Sequence, residues 1–278
     1  MVEGCDNYCV VGNPVGHSKS PLIHRAFARQ TGQRIAYDAV LVPVDGFGRA
    51  LAEFRALGGK GLNVTVPFKE EAWCASEVRS PRAERAEAAN TLWFDPEERV
   101  YADNTDGVGL IRDLEGNYGI RLRKRRILLL GAGGAAKGVV GPLLEADPMQ
   151  LVIANRSASK AIELAARFVA QGEVEGGGFP SLDGRRFDVI INATAAGLQN
   201  EVPALPEDVL EMGGVCYDMV YGDRPTPFVG WGLAHGAAVS TDGLGMLVEQ
   251  AAESFYLWRG VRPNSAPVIA ELRRSSPN

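Results

Sequence analysis

An apolar strand that runs straight into a glycine turn and then a helix constrains this chain more than any other feature: RILLLGAGGAAKGVV, residues 126–140. Within it, Gly131-Ala132-Gly133-Gly134-Ala135-Ala136 fits G-x-G-x-x-A. In that pattern the first glycine permits a tight turn, the second lets the backbone approach a pyrophosphate, and the small last residue lets helix and strand pack closely. Phosphate then rests on the N–H groups at the positive end of the helix. A glycine pattern alone is a weak signal. Here the strand before it, the helix after it and a second apolar run, LVIAN at 151–155, strengthen it, leaving a purely structural glycine turn as the lesser reading.

The end of that second run discriminates between cofactors. An NAD site places Asp or Glu about 20 residues beyond the glycines, where it accepts from a ribose hydroxyl. This chain has Asn155-Arg156-Ser157 there, with Lys160 close behind. No carboxylate stands to repel a 2′-phosphate, and a guanidinium with an ammonium can hold one. Cations in the first turn of a helix oppose its dipole, which favours a ligand as their reason over mere surface charge. NADP(H) is the expected cofactor. With three histidines (His17, His24, His235) and four scattered cysteines (Cys5, Cys9, Cys74, Cys216), neither a metal site nor a disulfide framework is expected.

Around this turn, short β-rich runs alternate with helical patterns. Strands are predicted at 8–12, 35–42 and 61–66, with a helix at 45–57. Another helix is predicted across SPLIHRAFARQTG, with Ser20 as cap, Pro21 at the first helical position and Gly32 as stop. Residues 91–102 read as a hairpin turning at Asp95-Pro96. The series then restarts, with strands at 126–130, 151–154, 187–191 and 214–218 and helices at 133–145 and 157–170. A glycine-rich stretch at 171–179 reads as a loop or a ragged short strand, and late helices are predicted at 243–259 and 265–274. Such alternation implies an α/β protein of two domains, with mostly parallel sheets covered by helices. The restart places the boundary near 103–107.

Composition agrees with a globular fold. Over 278 residues, 46% are hydrophobic and the net charge is −5. Disorder is excluded by that apolar content, and mild acidity argues against a general nucleic-acid binder. No apolar run reaches the roughly 18 residues of a membrane span, and no secretory signal is visible, so a cytoplasmic location is expected. The basic run 121–126 precedes its strand, at the sheet edge opposite the carboxyl ends where ligands bind, and reads as solvated surface. Phe255, Tyr256 and Trp258 read as packing residues.

The other half of the chain holds polar residues that packing does not require. In Gly16-His17-Ser18-Lys19-Ser20-Pro21, Ser18 has no evident capping role, and two hydroxyls beside helix N–H groups form a receiver for a carboxylate. His17 reads as a local hydrogen-bond partner. In GLNVTVPFK, strand alternation puts Asn63 and Thr65 on one face and Leu62, Val64 and Val66 on the other. Pro67 fits the first position of a helix, with Lys69 in its opening turn, where the dipole disfavours a charged amine. Lys69 thus reads either as an exposed, solvated lysine or as a proton-transfer amine, and nothing local decides. Asp106 reads either as a first-turn helix carboxylate or as the acid–base partner of Lys69.

GNPVGHSKSPLIH, GLNVTVPFKEEA, ANTL, DNTDGVG, LLLGAGGAAKGV, ANRSASKAIELA, INATAAGL, YDMVYGDRPTPF and DGLGMLVEQAAESFYLWRG together strongly resemble the shikimate dehydrogenase family, in the right order across nearly the whole chain. The resemblance implies an N-terminal α/β substrate domain of residues 1–106 plus 242–278 and a Rossmann NADP-binding domain of residues 107–241. A C-terminal helical pair would pack back on the first domain, and closure of a cleft would exclude water. The implied activity is reversible NADPH-dependent reduction of 3-dehydroshikimate to shikimate in aromatic amino-acid biosynthesis. Hydride chemistry belongs to the cofactor, so no metal is implied. The implied protein is a monomer or homodimer with no nucleic-acid or membrane partner.

At matching positions, Lys69 and Asp106 look like the catalytic pair. Ser18 and Ser20 look like the carboxylate clamp, with Tyr221 near it, and Asn63, Thr65, Asn90, Asp106 and Gln250 look like partners for ring hydroxyls. For NADP the family pattern points to Gly131, Ala132, Gly133, Gly134 and Ala135, to Asn155, Arg156, Ser157 and Lys160, and to Thr194, Met219 and Gly243. Ala89 replaces the usual valine. Pro81 stands where relatives often carry an acidic residue near the nicotinamide end, so no cofactor contact is expected there. Two rival readings are a quinate or dual quinate/shikimate dehydrogenase using NAD, and a non-catalytic nucleotide sensor. The missing acid after the second strand argues against the first. A sensor would be expected to lose Lys69 or Asp106, and both are retained.

Overall fold

A computed structural model describes residues 4–194 and 201–275. The chain divides into two compact units: residues up to Gly109 with Leu247–Glu271, and Leu110–Met246 with the residues from Leu272 onward.

The first unit runs β1 (Asp6–Gly12), α1 (Ser20–Thr31), β2 (Ile35–Leu41), α2 (Phe47–Ala56), β3 (Gly61–Val64), α3 (Lys69–Cys74), β4 (Val78–Arg79), α4 (Pro81–Ala86), β5 (Thr91–Phe94) and β6 (Val100–Asp103). These strands form one sheet in the order β2-β1-β3-β5-β6-β4. β1 is parallel to β2 and β3, and β4 is parallel to β6, while β5 is antiparallel to β3 and β6. A central strand of such a sheet must be apolar on both faces. β1 satisfies this: Cys9 and Val11 pack with Phe47, Leu62, Val64 and Phe68 on one side, and Tyr8 and Val10 pack with Tyr37 on the other. Helix α1 turns Ser20, Ile23, His24, Phe27 and Ala28 inward, the spacing of one helical face. Two polar residues therefore ride on its buried stripe.

Three local expectations fail here. Ser20 is not the cap of α1 but its first helical residue; the cap position belongs to Lys19, which makes no side-chain capping bond. The oxygen that receives an orphan N–H comes instead from Ser18, whose Oγ accepts from the Ser20 amide at 3.3 Å. Gly32 does stop the helix, with φ at 66°, a left-handed conformation natural to glycine. The strand expected through 66 ends at Val64, and Val66 is 60% exposed. The Phe68 amide closes a turn onto the Thr65 carbonyl, so Pro67 precedes α3 rather than opening it, and Lys69 is the helix's first residue.

The chain continues through α5 (Asp106–Ile111), β7 (Arg126–Leu130), α6 (Gly134–Glu145), β8 (Gln150–Ala154), α7 (Ala158–Ala166), β9 (Val174–Gly177), β10 (Phe187–Asn192), β11 (Leu210–Asp218), α8 (Pro227–Ala234), β12 (Val239–Thr241), α9 (Leu244–Arg259) and α10 (Ala266–Ser275). The second sheet, β12-β11-β10-β7-β8-β9, is parallel throughout. That is the doubly wound order, with the switch point beside β7. The glycine-rich stretch supplies β9, and β11 begins earlier than expected. Leu128 and Leu130 of β7 pack on one side with Val152, Ile190 and Phe228, and Ile127 and Leu129 on the other with Val139, Leu143 and Ile153. In the basic run, Arg123 and Lys124 pair with Asp147, and Arg126 with Asp188 and Glu211.

The four cysteines are free, and burial pushes the Cys9 and Cys216 thiols up to about 12. Among the described residues, no helix is long and apolar enough to cross a membrane, and no group of side chains is placed to hold a metal. Residues 195–198, within the INATAAGL stretch, lie outside the described residues.

Candidate active site

Lys69 and Asp106 are 37 residues apart in sequence, and the fold brings them together: Nζ lies 2.5 Å from Oδ2. Their side chains are 15% and 8% exposed, so Lys69 is not a solvated surface lysine. Asp106 is held from several sides. Its Oδ1 accepts from Asn90 Nδ2 at 2.9 Å, and its amide donates to Asn104 Oδ1 at 3.1 Å. Asn104 donates in turn from its backbone to Asp103 and from its side chain to the Ala88 carbonyl. Asp103 is clamped by Arg82, which also pairs with Glu253, and by the Ser80 hydroxyl. A buried carboxylate needs such compensation, and the clamp fixes the turn from which Asp106 projects.

Around this pair lies a cluster of amides and hydroxyls. Asn90 Nδ2 also faces Thr105 Oγ1 at 2.9 Å and Gln250 Oε1 at 3.1 Å, and Asn90 Oδ1 accepts from the Thr105 amide and from Thr91 Oγ1. Asn63 Nδ2 donates to the Asn90 carbonyl at 3.0 Å and to Ser254 Oγ at 3.0 Å. Asn63 Oδ1 accepts from Tyr37 Oη at 2.7 Å. Gln250 and Ser254 lie one turn apart on α9, and the Gln250 amide nitrogen donates to the Leu247 carbonyl. The cluster contains four residues not singled out from the sequence: Tyr37, Thr91, Thr105 and Ser254. Thr91 and Thr105 stand inside the ANTL and DNTDGVG blocks, where a buried strand carrying hydroxyls was the available signal. Thr65, partly exposed, has no hydroxyl partner among the described residues, and Lys69 retains N–H capacity beyond Asp106. An amine on a carboxylate, set among neutral donors and acceptors, can exchange a proton with the oxygen of a small polyhydroxy compound.

The second unit offers a different kind of site. Gly131 ends β7 with φ at 108°, and a Cβ there would come within 3.1 Å of the Ala193 backbone. Gly133 caps α6 with no side-chain hydrogen bond, and a Cβ there would meet nothing within 4 Å. Ala136 is packed in the core behind the turn. Gly134 and Ala135 open α6, and Ala132 packs partly on that core. The open side of the turn and the uncapped N–H groups of the helix suit a pyrophosphate. At the end of β8, Asn155 Nδ2 donates to the Ser157 carbonyl at 3.0 Å. Arg156 and Lys160 are exposed and make no ion pair among the described residues. The residues fit a dinucleotide with a 2′-phosphate.

At the exits of β10 and β11, Thr194 donates to Asn192 Oδ1 from both its amide and its hydroxyl, at 3.1 Å and 2.7 Å. Asn192 Nδ2 donates to Asp218, as do the Thr226 hydroxyl and the Val220 amide. Burial pushes the Asp218 carboxyl up to about 6 despite these donors. The Met219 amide donates to the Asn192 carbonyl, and a Cβ on Gly243 would strike the Met219 carbonyl oxygen at 2.4 Å. Tyr221, partly buried, lies in this second unit just past β11.

Three family models match the chain: the shikimate dehydrogenase substrate binding domain over residues 10–92, shikimate / quinate 5-dehydrogenase over 114–201, and the shikimate 5′-dehydrogenase C-terminal domain over 243–273. A shikimate dehydrogenase (NADP(+)) of Alkalilimnicola ehrlichii is 59% identical, covering 96% of this chain and 98% of that one. One from Nitrosococcus oceani is 54% identical, covering 97% and 95%. A crystal structure of shikimate 5-dehydrogenase from Thermus thermophilus, in complex with NADP(H) and shikimate, superimposes with a TM-score of 0.86 at 33% identity, covering 97% of this chain and 99% of that one.

Proposed function

The chain belongs to the shikimate dehydrogenase family, and we propose how its own residues carry the reversible NADPH-dependent reduction of 3-dehydroshikimate to shikimate. When bound, NADPH supplies a hydride to the ketone carbon. Lys69 donates a proton from Nζ to the oxygen on that carbon and takes it back in the reverse direction. Asp106, fixed by Asn90 and Asn104, orients the amine and accepts from a ring hydroxyl. Asn63, Thr65, Asn90 and Gln250 hold the remaining hydroxyls, while Ser18 and Ser20 take the carboxylate.

On the nucleotide side, Gly131 through Ala135 present backbone N–H groups to the pyrophosphate. Arg156 and Lys160, flanked by Asn155 and Ser157, take the 2′-phosphate, and Thr194, Met219 and Gly243 form the wall at the nicotinamide end. The observation that supports this reading best is the pairing of Lys69 Nζ with Asp106 Oδ2 among otherwise neutral partners.

Nicotinamide absorbance, followed with shikimate or quinate and each of NADP⁺ and NAD⁺, tests it. Fast turnover with shikimate and NADP⁺ alone is the expected result. Comparable oxidation of quinate would widen the substrate class, comparable use of NAD⁺ would remove the role given to Arg156, and silence with all four pairs would leave only nucleotide binding.

A further inference from the structure

Tyr37 sits on β2, a strand that carries none of the residues assigned to substrate above. β2 pairs with β1 and β1 with β3, with Tyr37 opposite Tyr8 and Asn63 opposite Val10. Tyr37 and Asn63 are therefore two strands apart, roughly 9–10 Å across the sheet. A tyrosine can cross that distance, and this one does, donating from Oη to Asn63 Oδ1 at 2.7 Å. The same hydroxyl faces Ser20, at the start of α1. One oxygen from β2 thus holds a residue given to the ring hydroxyls.

The Tyr37 ring is itself fixed by His24 on the buried stripe of α1. The two rings stack with centroids 4.1 Å apart and planes 5° from parallel. His24 is completely buried, and neither ring nitrogen has a hydrogen-bond partner among the described residues, although Asn63 lies beside it. The imidazole remains neutral, since burial lowers its pKa to about 3. Asn63, for its part, cannot turn its amide over. Its nitrogen points at the Asn90 carbonyl, which only accepts, so the oxygen must face Tyr37. Without the tyrosine hydroxyl, that buried oxygen would lose its donor and the side chain would be free to shift.

We propose that Tyr37 is a positioning residue for substrate binding: its hydroxyl, held in place by the stacked His24 ring, fixes Asn63 and so sets the face that receives the substrate. This rests on the assignment of Asn63 to substrate. The test is a cycle of Tyr37→Phe, Asn63→Ala and the double variant, with KM measured separately for shikimate and NADP⁺. Tyr37→Phe is expected to raise the shikimate KM about 5–150-fold, the range for one hydrogen bond lost at a buried acceptor. KM for NADP⁺ and kcat should stay within about twofold, a split that general loosening of the fold would not give. The double variant should match Asn63→Ala alone, because Tyr37 acts through Asn63.

If Asn63→Ala leaves the shikimate KM unchanged, the assignment of Asn63 falls. If it raises KM while Tyr37→Phe does not, or if the two effects multiply in the double variant, the role of Tyr37 falls. Should Tyr37→Phe fail to fold, His24→Ala removes the supporting ring without touching the hydroxyl. It should raise the shikimate KM, with His24→Phe restoring it; equal KM in wild type and both variants would overturn the proposal.

Discussion

The two units prepare for their ligands by opposite means. In the first, side chains from β3, α3, β5, α5 and α9 have already bonded to one another: Asn63 and Asn90 are surrounded by protein partners before anything binds. In the second, the glycine turn is open, α6 begins without a side-chain cap, and Arg156 and Lys160 have no ion pair among the described residues. In the first, Asn63, Asn90 and Asp106 are satisfied by one another and their neighbours, which a buried network must be to be stable. The second leaves its donors to be completed by phosphate.

The contrast makes its strongest claim at Lys69. Lys69→Ala should lower kcat by about 10²–10⁴, the contribution of a positioned proton donor, while the variant still binds NADPH in a fluorescence titration. Near-normal turnover would break the comparison at its centre. Arg156→Ala should act on the other side alone. With no ion pair to lose within the described structure, it should leave the thermal midpoint unchanged and weaken NADPH binding by roughly 1–3 kcal/mol, with NADH hardly affected. Equal losses for the two cofactors would remove the 2′-phosphate from the account.

The remaining effects concern pH and bear on stability rather than turnover, and they run in opposite directions. His24 has a folded pKa of about 3 against an ordinary 6.5. The unfolded chain takes up that proton first, so stability is lost as pH falls below about 6.5. Asp218 has a folded pKa of about 6 against 3.8, so the folded protein holds the extra proton and stability is lost as pH rises from about 4 to 6. Urea unfolding at pH 4.5 and 6.5 should therefore show wild type losing ground to His24→Phe at the acid end and to Asp218→Asn at the upper end. Each difference is on the order of 2–3 kcal/mol. Parallel slopes in the two comparisons would show that one of these burial effects has the wrong sign.

The same contrast explains what the sequence made readable. The proposed nucleotide site is contiguous: one turn after β7 and one after β8 carry most of it, so strand, glycine spacing and missing carboxylate can be read in order. The proposed substrate site draws on residues such as Lys69 and Asp106, or Asn63 and Gln250, far apart in sequence, whose meeting depends on tertiary folding. Local pattern therefore leaves Lys69 undecided between solvent and chemistry, and only the fold shows that it is largely buried against Asp106. Tyr37 gave no local signal because its partner lies two strands away. Serine before proline commonly caps a helix, but Ser20 is buried as the first helical residue and Ser18 accepts the amide instead. Pro67 was misread because a turn onto Thr65 intervened before α3.

Gly131 and Gly133 share a motif but answer to different judges. A methyl group at 131 would press on the Ala193 backbone in a left-handed stretch of chain, whereas one at 133 would stand in empty space. A library sieved only for soluble, well-behaved clones would therefore discard alanine at the first position and keep it at the second. The phosphate seat proposed at Gly133 would be blocked unnoticed in such a screen, and only a selection for cofactor use would reveal it.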